Sequence, residues 1–190
     1  PANISQSNPP PYSCGPQGEI TVAIMSDINT FWNSSIIGCS CGPDLPICQN
    51  NALALDYRQG GRGYVYYDPN ILSLLSSIGG TNVAAAWFLS HEVGHNIQQE
   101  FGLSSQLSVA RELSADCYAG YFLGWLKCIG RIGDADITGT LRAACSAQDP
   151  AGTPWFAQGA HGTCEQRVSS VSTGISRYEQ GIAPLNACTF

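Results

Sequence analysis

The chain has 190 residues, of which 44% are hydrophobic and 12% are charged, and its formal net charge is −6. A chain of this length can bury a real hydrophobic core, so we expect a soluble protein with one domain over residues 1–190. The negative charge disfavours an anionic polymer as a ligand, and nucleic acid is therefore not an expected partner.

The first part of the chain predicts an arm, a strand and a short helix. Residues 1–18 are rich in Pro, Ser and Asn, which favours an extended arm. No charged segment followed by an apolar run opens the chain, so we expect that a signal peptide has been removed. The stretch EITVAIM, residues 19–25, alternates β-branched residues with period two and predicts a strand. A short helix capped by Asp27 follows, and residues 38–51 predict a cysteine-rich insertion.

Two further strands are predicted on either side of a turn. The segments NALALDY, residues 51–57, and RGYVYYD, residues 62–68, flank the sequence RQGG. Glycines tolerate the positive φ angles of tight turns, so this arrangement indicates a β-hairpin.

The remainder of the chain predicts helices. Pro69 opens a short helix, a long helix covers about residues 82–101 with Gly102 as its C-cap, and a second long helix covers about 104–127. Further helices are predicted within GDADITGTLRAACSAQ and over about residues 164–180. The longest apolar stretches are shorter than the about 20 residues of a membrane span, so we expect buried helix faces. The predicted fold class is α+β, mainly helical.

Cysteines are frequent, at positions 14, 39, 41, 48, 117, 128, 145, 164 and 188. Nine cysteines favour an oxidising compartment, so we expect a secreted or periplasmic protein stapled by disulfides. The odd count leaves at least one thiol unpaired or paired with a partner chain, and Cys117 is predicted to be such a thiol because it lies in an apolar helical pattern. Cys188 is expected to hold the C-terminal tail. A second metal site built from CSC and Cys48 is the alternative, although its spacing fits structural zinc poorly.

The segment WFLSHEVGHNIQQEFG places His91 and His95 four residues apart on a predicted helix, with Glu92 beside the first. Residues four apart lie one turn above each other, so both imidazoles can bind one Zn²⁺ ion. A catalytic zinc keeps one position for water, and Glu92 would accept the proton of that water. The alternative is an exposed helix that carries these residues without a metal.

A third ligand is predicted in ARELSADCYAG, where Glu112 and Asp116 share one face of the second long helix. Glu112 is assigned to the zinc. Asp116 is assigned to the second ring nitrogen of His91, a contact that orients a ligand histidine. Two alternatives remain open: an exchange of roles between the two acids, and a surface ion pair for Glu112.

The motifs FLSHEVGHNIQ, RELSADCYAGYF and HGTCEQR closely resemble, in this order, those of a bacterial family of neutral zinc metallopeptidases. The match covers about residues 60–182. The resemblance implies a zincin-like fold with a small antiparallel sheet or hairpin that edges the active-site cleft. GYVYYD is similar to the family's strand beside the cleft, which implies that Tyr64 and Tyr66 lie on a strand that binds substrate by strand addition. The chain departs from the family pattern at Asn96, where a further histidine is common, and in its many cysteines.

A donor to the carbonyl oxygen of the substrate is also expected, because negative charge develops there during hydrolysis. His161 is the first candidate, since it lies in a glycine-rich loop within a motif that the family shares. A structural histidine is the alternative. Tyrosines of the predicted cleft strand are second candidates.

The sequence therefore predicts a secreted zinc-dependent metallopeptidase, with an endopeptidase favoured, that acts on a peptide or protein substrate. One alternative is a disulfide-stapled extracellular binding or structural protein that keeps the zinc site without proteolysis. Another is an amidase that acts on non-protein amides.

Overall fold

The computed structural model describes residues 10–58, 62–103 and 105–189, and for residues 56–58 it describes the backbone alone. In these ranges the chain is an α+β protein, which confirms the predicted class. The helices are α1 (Glu19–Trp32), α2 (Pro69–Gly79), α3 (Val83–Glu100), α4 (Ser108–Cys128), α5 (Asp134–Ser146), α6 (Cys164–Glu179) and α7 (Pro184–Ala187). The strands are β1 (Cys14–Gly15), β2 (Ser35–Cys41), β3 (Ala52–Arg58) and β4 (Arg62–Tyr67). None of these helices is both long and apolar enough to cross a bilayer.

The four strands form one mixed sheet in the order β1-β2-β4-β3. Strands β3 and β4 pair antiparallel, which confirms the predicted hairpin, although most of its turn lies outside the described residues. Strand β2 runs parallel to β4, so the expected antiparallel pairing holds for the hairpin but not for the whole sheet. As a result β4 is paired on both sides, and β3 forms one edge of the sheet.

The predicted strand over residues 19–25 is wrong, because this segment is the first half of α1. Thr21, Ile24, Met25 and Ile28 are buried with the spacing of one helix face, whereas Ile20 and Val22 are exposed. In seven residues the two periodicities are hard to distinguish, and the burial of every third or fourth residue selects the helix.

Asp27 does not cap a helix, since it lies within α1 and its carboxylate accepts a hydrogen bond from Arg131 at 2.8 Å. The predicted insertion at 38–51 is also only partly correct. Its first residues belong to β2, and the rest forms a loop with a short 3-10 turn that Cys41 and Cys48 close.

The cysteines form four disulfides: Cys14–Cys39, Cys41–Cys48, Cys117–Cys188 and Cys145–Cys164. The predicted stapling is therefore confirmed, and Cys188 holds the tail as expected. The prediction that Cys117 is unpaired is wrong, and the free cysteine is Cys128, which is exposed. The apolar surroundings of Cys117 are the surface against which the tail packs. A metal site at CSC and Cys48 is contradicted because these sulfurs are in disulfides.

Helix α3 ends with the predicted glycine just past its last turn. Gly102 has a φ of 64°, a left-handed conformation that costs a glycine little. The backbone N–H of Leu103 donates to the carbonyl of Gln98 at 2.8 Å, and that of Gly102 donates to Gln99 at 3.4 Å. These two bonds form a Schellman motif, which stops the helix and lets the chain return into α4. Helix α4 begins at Ser108, four residues later than predicted.

Helices α4 and α6 pack with their backbones in close approach. A Cβ atom on Gly120 would collide with the carbonyl of Val171, and one on Gly174 would collide with the carbonyl of Cys117. Only glycine leaves room for this approach, which brings side chains of α6 to the buried face of α4. Trp87, Tyr118 and other large side chains fill the core around these helices.

Candidate metal centre

Helices α3 and α4 bring the predicted ligand residues together. Gly94 lies between the two histidines, and a Cβ at this position would lie 3.0 Å from the Cα of Ala115 on α4. The two helices are therefore in close contact one turn from Glu112. One ligand atom each of His91, His95 and Glu112 lies within 4.8 Å of the others, so the three residues could hold a metal ion.

The Nε2 atoms of both histidines face the same carboxylate. His91 Nε2 lies 3.1 Å from Glu112 Oε2, and His95 Nε2 lies 3.4 Å from Glu112 Oε1. Zinc binds nitrogen and oxygen ligands at about 2.0–2.2 Å, so the ligand atoms of a tetrahedral site lie about 3.3–3.5 Å apart. Two imidazoles and one carboxylate at these separations fit a zinc ion.

Asp116 holds the other side of the His91 ring. Its Oδ1 lies 2.8 Å from His91 Nδ1, and its carboxylate accepts hydrogen bonds from Arg167 Nε at 2.8 Å and Nη2 at 3.0 Å. A paired donor of this kind locks the carboxylate in one orientation. Because Asp116 contacts the nitrogen that faces away from the cluster, the exchange of roles between Asp116 and Glu112 finds no support.

Gln98 holds the His95 ring in a corresponding way, and sequence reasoning missed it. Its Oε1 lies 3.1 Å from His95 Nδ1, while its Nε2 donates to the backbone carbonyl of Arg111 at 2.7 Å. The side chain is 1% exposed. Its position three residues after His95 on one helix was the available signal, because such residues are neighbours on a helix surface.

The charges of the cluster shift the pKa values of its members. Burial by itself lowers the pKa of His91, but the charge of Asp116 and the contacts with Asp116 and Glu112 outweigh it and raise the pKa to about 10. Burial raises the pKa of Glu112, but the hydrogen bonds with His91 and His95 hold it far below its usual value. For Asp116 the effect of burial is outweighed by the charge of Arg167, which lowers the pKa.

Glu92 is buried beside the cluster and has a different environment. Burial is the main cause that raises its pKa, and the nearby histidines and the backbone N–H of Ala54 on β3 oppose this effect. A carboxylate with a raised pKa can accept a proton near neutral pH.

The cluster opens into a cavity of about 330 Å³. Residues 51–54 of β3 and its preceding loop line this cavity, together with His161 and Arg111. The edge of the sheet is thus one boundary of the candidate site.

The prediction that the strand with Tyr64 and Tyr66 lies beside the cleft is wrong. β4 is enclosed between β2 and β3, and its tyrosines Tyr64 and Tyr66 are 2% and 0% exposed. They pack in a small cluster with Cys39, Leu45 and Cys48 instead of lining the cavity. Alternation within a strand indicates which side chains share a face, but the order of strands in the sheet decides which strand is free at the edge.

His161 lies at the cavity, as predicted, and Asp149 holds it there. Asp149 Oδ2 accepts the backbone N–H groups of His161 and Gly162 at 2.8 Å each, and Oδ1 lies 3.3 Å from His161 Nδ1. The disulfide between Cys145 and Cys164 closes the base of this loop. Asp149 was not predicted, because nothing in the local sequence links it to a residue twelve positions away.

The fold and the cluster define an α+β protein with a two-histidine, one-glutamate candidate zinc centre beside an open sheet edge. Residues 61–183 match the family described as "Putative neutral zinc metallopeptidase", and the chain belongs to this family. This result confirms the resemblance of the sequence motifs. No match to a curated protein or to a solved structure was found.

Proposed function

We propose that the chain is a zinc-dependent endopeptidase with a zincin-like fold. The observation that carries this proposal is the convergence of His91, His95 and Glu112, with Glu92 beside them, at a cavity bounded by an edge strand. The description of the chain's family names zinc as the metal and peptide hydrolysis as the activity. His91 and His95 would bind the ion through Nε2 and Glu112 through its carboxylate.

When bound, zinc supplies a Lewis acid that lowers the pKa of water and polarises a carbonyl group. Glu92 accepts a proton from the attacking water and passes it to the leaving amine. Burial prepares Glu92 for this role because it raises the pKa of the carboxyl group. Asp116 and Gln98 keep the two imidazoles oriented throughout.

Strand β3 would align the substrate. Its outer edge is unpaired by any described strand, and residues 51–54 line the cavity. An extended peptide can add to such an edge through backbone hydrogen bonds, which places successive peptide groups beside the cluster.

His161 is the proposed donor to the carbonyl oxygen of the substrate. Asp149 contacts Nδ1, so the imidazolium form of His161 would donate Nδ1–H to Asp149 and Nε2–H to the carbonyl oxygen in the cavity. Removal of a donor at such a position typically slows hydrolysis by about 100-fold or more.

The described disulfides support a secreted or periplasmic location, because such bonds persist in oxidising compartments. The main hydrophobic cluster includes residues from Ile24 to Cys188. This continuity supports the proposal that residues 1–190 form one domain.

The test compares Glu92→Gln with a matched control, Glu165→Gln, whose glutamate is exposed on α6. Zinc content is measured by elemental analysis. The rate of cleavage is measured with casein and with a quenched peptide library as substrates. We expect zinc in both variants and a loss of about 100- to 10,000-fold in kcat/KM for Glu92→Gln only, the range for general-base catalysis. Equal cleavage by both variants would contradict the mechanism. Zinc binding without cleavage by the unmodified chain would favour a binding protein, and cleavage restricted to non-peptide amides would favour an amidase.

A further inference from the structure

Arg111 is a cation at the candidate site that the proposed mechanism does not use. It directly precedes Glu112 on α4, its side chain is half-buried, and it lines the cavity of the cluster. Within the described residues, its guanidinium contacts the hydroxyl of Ser108 through Nη2 at 3.4 Å, which is long for a hydrogen bond. Within the described ranges no carboxylate forms an ion pair with it.

In the other arginine of the cavity, each guanidinium nitrogen already has a hydrogen-bond partner. Arg167 donates to Asp116 through Nε and Nη2 and to the carbonyl of Ala147 through Nη1. Its role is therefore to hold Asp116. Arg111 has the same planar set of donors without such partners, and this set matches the two oxygens of a carboxylate.

The acids of the cavity do not neutralise Arg111. Both oxygens of Glu112 face the histidines, and Glu92 lies beside those histidines and the backbone N–H of Ala54. The chain as a whole carries a net charge of −6. A positive group in the cleft of an acidic protein attracts an acidic ligand to that one place and discourages its binding elsewhere.

We propose that Arg111 binds a carboxylate of the substrate and makes this chain selective for acidic peptides. This inference rests on the proposed peptidase function. The carboxylate comes from a Glu or Asp side chain near the scissile bond or from the C-terminus of the peptide, and the same guanidinium contact serves both.

The test uses one peptide that the chain cleaves, in four forms: Glu or Gln next to the scissile bond, each with a free or an amidated C-terminus. The values of kcat/KM are measured for the unmodified chain, Arg111→Gln, Arg111→Lys and the control Arg177→Gln, which lies on α6 outside the cavity. Binding of the same four peptides to zinc-loaded Glu92→Gln, with and without Arg111→Gln, is measured by fluorescence anisotropy.

We expect the unmodified chain to prefer a carboxylate-bearing peptide over its neutral partner by about 10- to 100-fold, the range for hydrogen bonds to charged groups. This ratio falls toward one in Arg111→Gln, is partly kept in Arg111→Lys and is unchanged in Arg177→Gln. A preference that disappears on Glu to Gln exchange identifies the side chain as the source, and one that disappears on amidation identifies the C-terminus.

An unchanged ratio in Arg111→Gln would overturn the inference while leaving the peptidase function intact. If no peptide is cleaved, the peptidase function fails, and the binding of one library peptide with Glu or Gln at a central position, each with a free or an amidated C-terminus, still decides about Arg111. Equal affinity for charged and neutral peptides in that measurement would overturn the inference as well.

Discussion

The two ligand histidines are held by partners of different charge. His91 Nδ1 faces the ionised Asp116, which Arg167 supports, whereas His95 Nδ1 faces the neutral amide of Gln98. A partner on the outer nitrogen fixes the orientation of the ring and its basicity, and the loss of such a partner typically reduces metal affinity by about 10- to 100-fold. Gln98 should therefore contribute measurably to zinc binding.

The first prediction is that Gln98→Leu weakens zinc binding by about 10-fold or more, because His95 loses its acceptor. Gln98→Glu should restore binding, since a carboxylate accepts the same hydrogen bond. The measurement is competition for zinc with a fluorescent chelator. Gln99→Leu is the matched control, because Gln99 lies at the cavity without a hydrogen bond to a ligand histidine. Equal zinc affinity in Gln98→Leu and Gln99→Leu would contradict the prediction.

The second prediction concerns how the free energy of unfolding of the zinc-free protein depends on pH. The pKa of His91 is raised from 6.5 to about 10, so its stabilising effect is complete below pH 6.5 and is lost as the pH rises through about 10. The pKa values of Asp116 and Glu112 are lowered from 3.8 and 4.5, so their effect is complete above these values and is lost in acid.

The free energy of unfolding of the chelator-treated protein should thus be highest between about pH 4.5 and 6.5 and decline toward pH 10. Urea denaturation at a series of pH values measures this profile. In His91→Gln the decline on the alkaline side should be smaller. A flat profile from pH 6.5 to 10 in the unmodified protein would show that His91 is not held in its charged form.

At the scale of the elements, the site depends on the contact between α4 and α6. Helix α4 carries Glu112 and Asp116, and α6 carries the Arg167 that holds Asp116. Gly120 and Gly174 allow the two backbones to approach, because a Cβ at either position would collide with a carbonyl group of the opposite helix. This packing therefore sets the position of Asp116 and, through it, that of His91.

The third prediction is that Gly174→Ala destabilises the protein by about 1–2 kcal/mol net. Alanine gains about 1 kcal/mol of helix propensity over glycine, but the collision is with backbone atoms that cannot rotate away. The measurement is urea denaturation followed by circular dichroism. Ser172→Ala, an exposed position two residues earlier on α6, should change stability by less than about 0.5 kcal/mol. Similar values for both variants would contradict the proposed close packing.

At the scale of the whole molecule, one disulfide joins segments that are distant in sequence. Cys117–Cys188 connects the middle of α4 to the C-terminal tail across 71 residues, and Ser114 Oγ donates to the carbonyl of Cys188 at 2.8 Å. Both sulfurs are buried in the core. The bridge therefore anchors the tail on the same helix that carries Glu112.

The fourth prediction is that the double substitution Cys117→Ala and Cys188→Ala lowers the free energy of unfolding by about 4 kcal/mol, the entropic effect of opening a loop of this length. Thermal denaturation without reductant measures the loss. Cys128→Ser is the control, since Cys128 is exposed and free. It should leave the midpoint unchanged while removing the one thiol that reacts in the native protein. A thiol that persists in Cys128→Ser would contradict this pairing.

If a partner chain is joined by a disulfide, we propose this exposed thiol as the site in place of Cys117, which the sequence predicts for that role. The difference between the two positions follows from packing. An apolar helical pattern does not show whether a buried cysteine is unpaired or packs against a distant segment that carries a second cysteine. Only the path of residues 181–188 shows that Cys117 is paired.

Features that depend on neighbouring residues could be predicted from the sequence. The spacing of His91 and His95, the proline and glycine at the helix ends, and the hairpin of β3 and β4 all follow from local periodicity or local backbone preferences. The convergence of Glu112 with the histidines could also be predicted, because only a few residues separate α3 from α4.

Features that depend on contacts between distant residues were decided by the tertiary structure. These include the helical state of residues 19–25, the pairing of Cys117, the edge position of β3, and the contacts of Asp149 and Arg111 in the cleft. For such residues, several tertiary partners are equally compatible with the local sequence pattern. Burial and packing of the chain select one of them, because side chains that are distant in sequence must fill the same close-packed core.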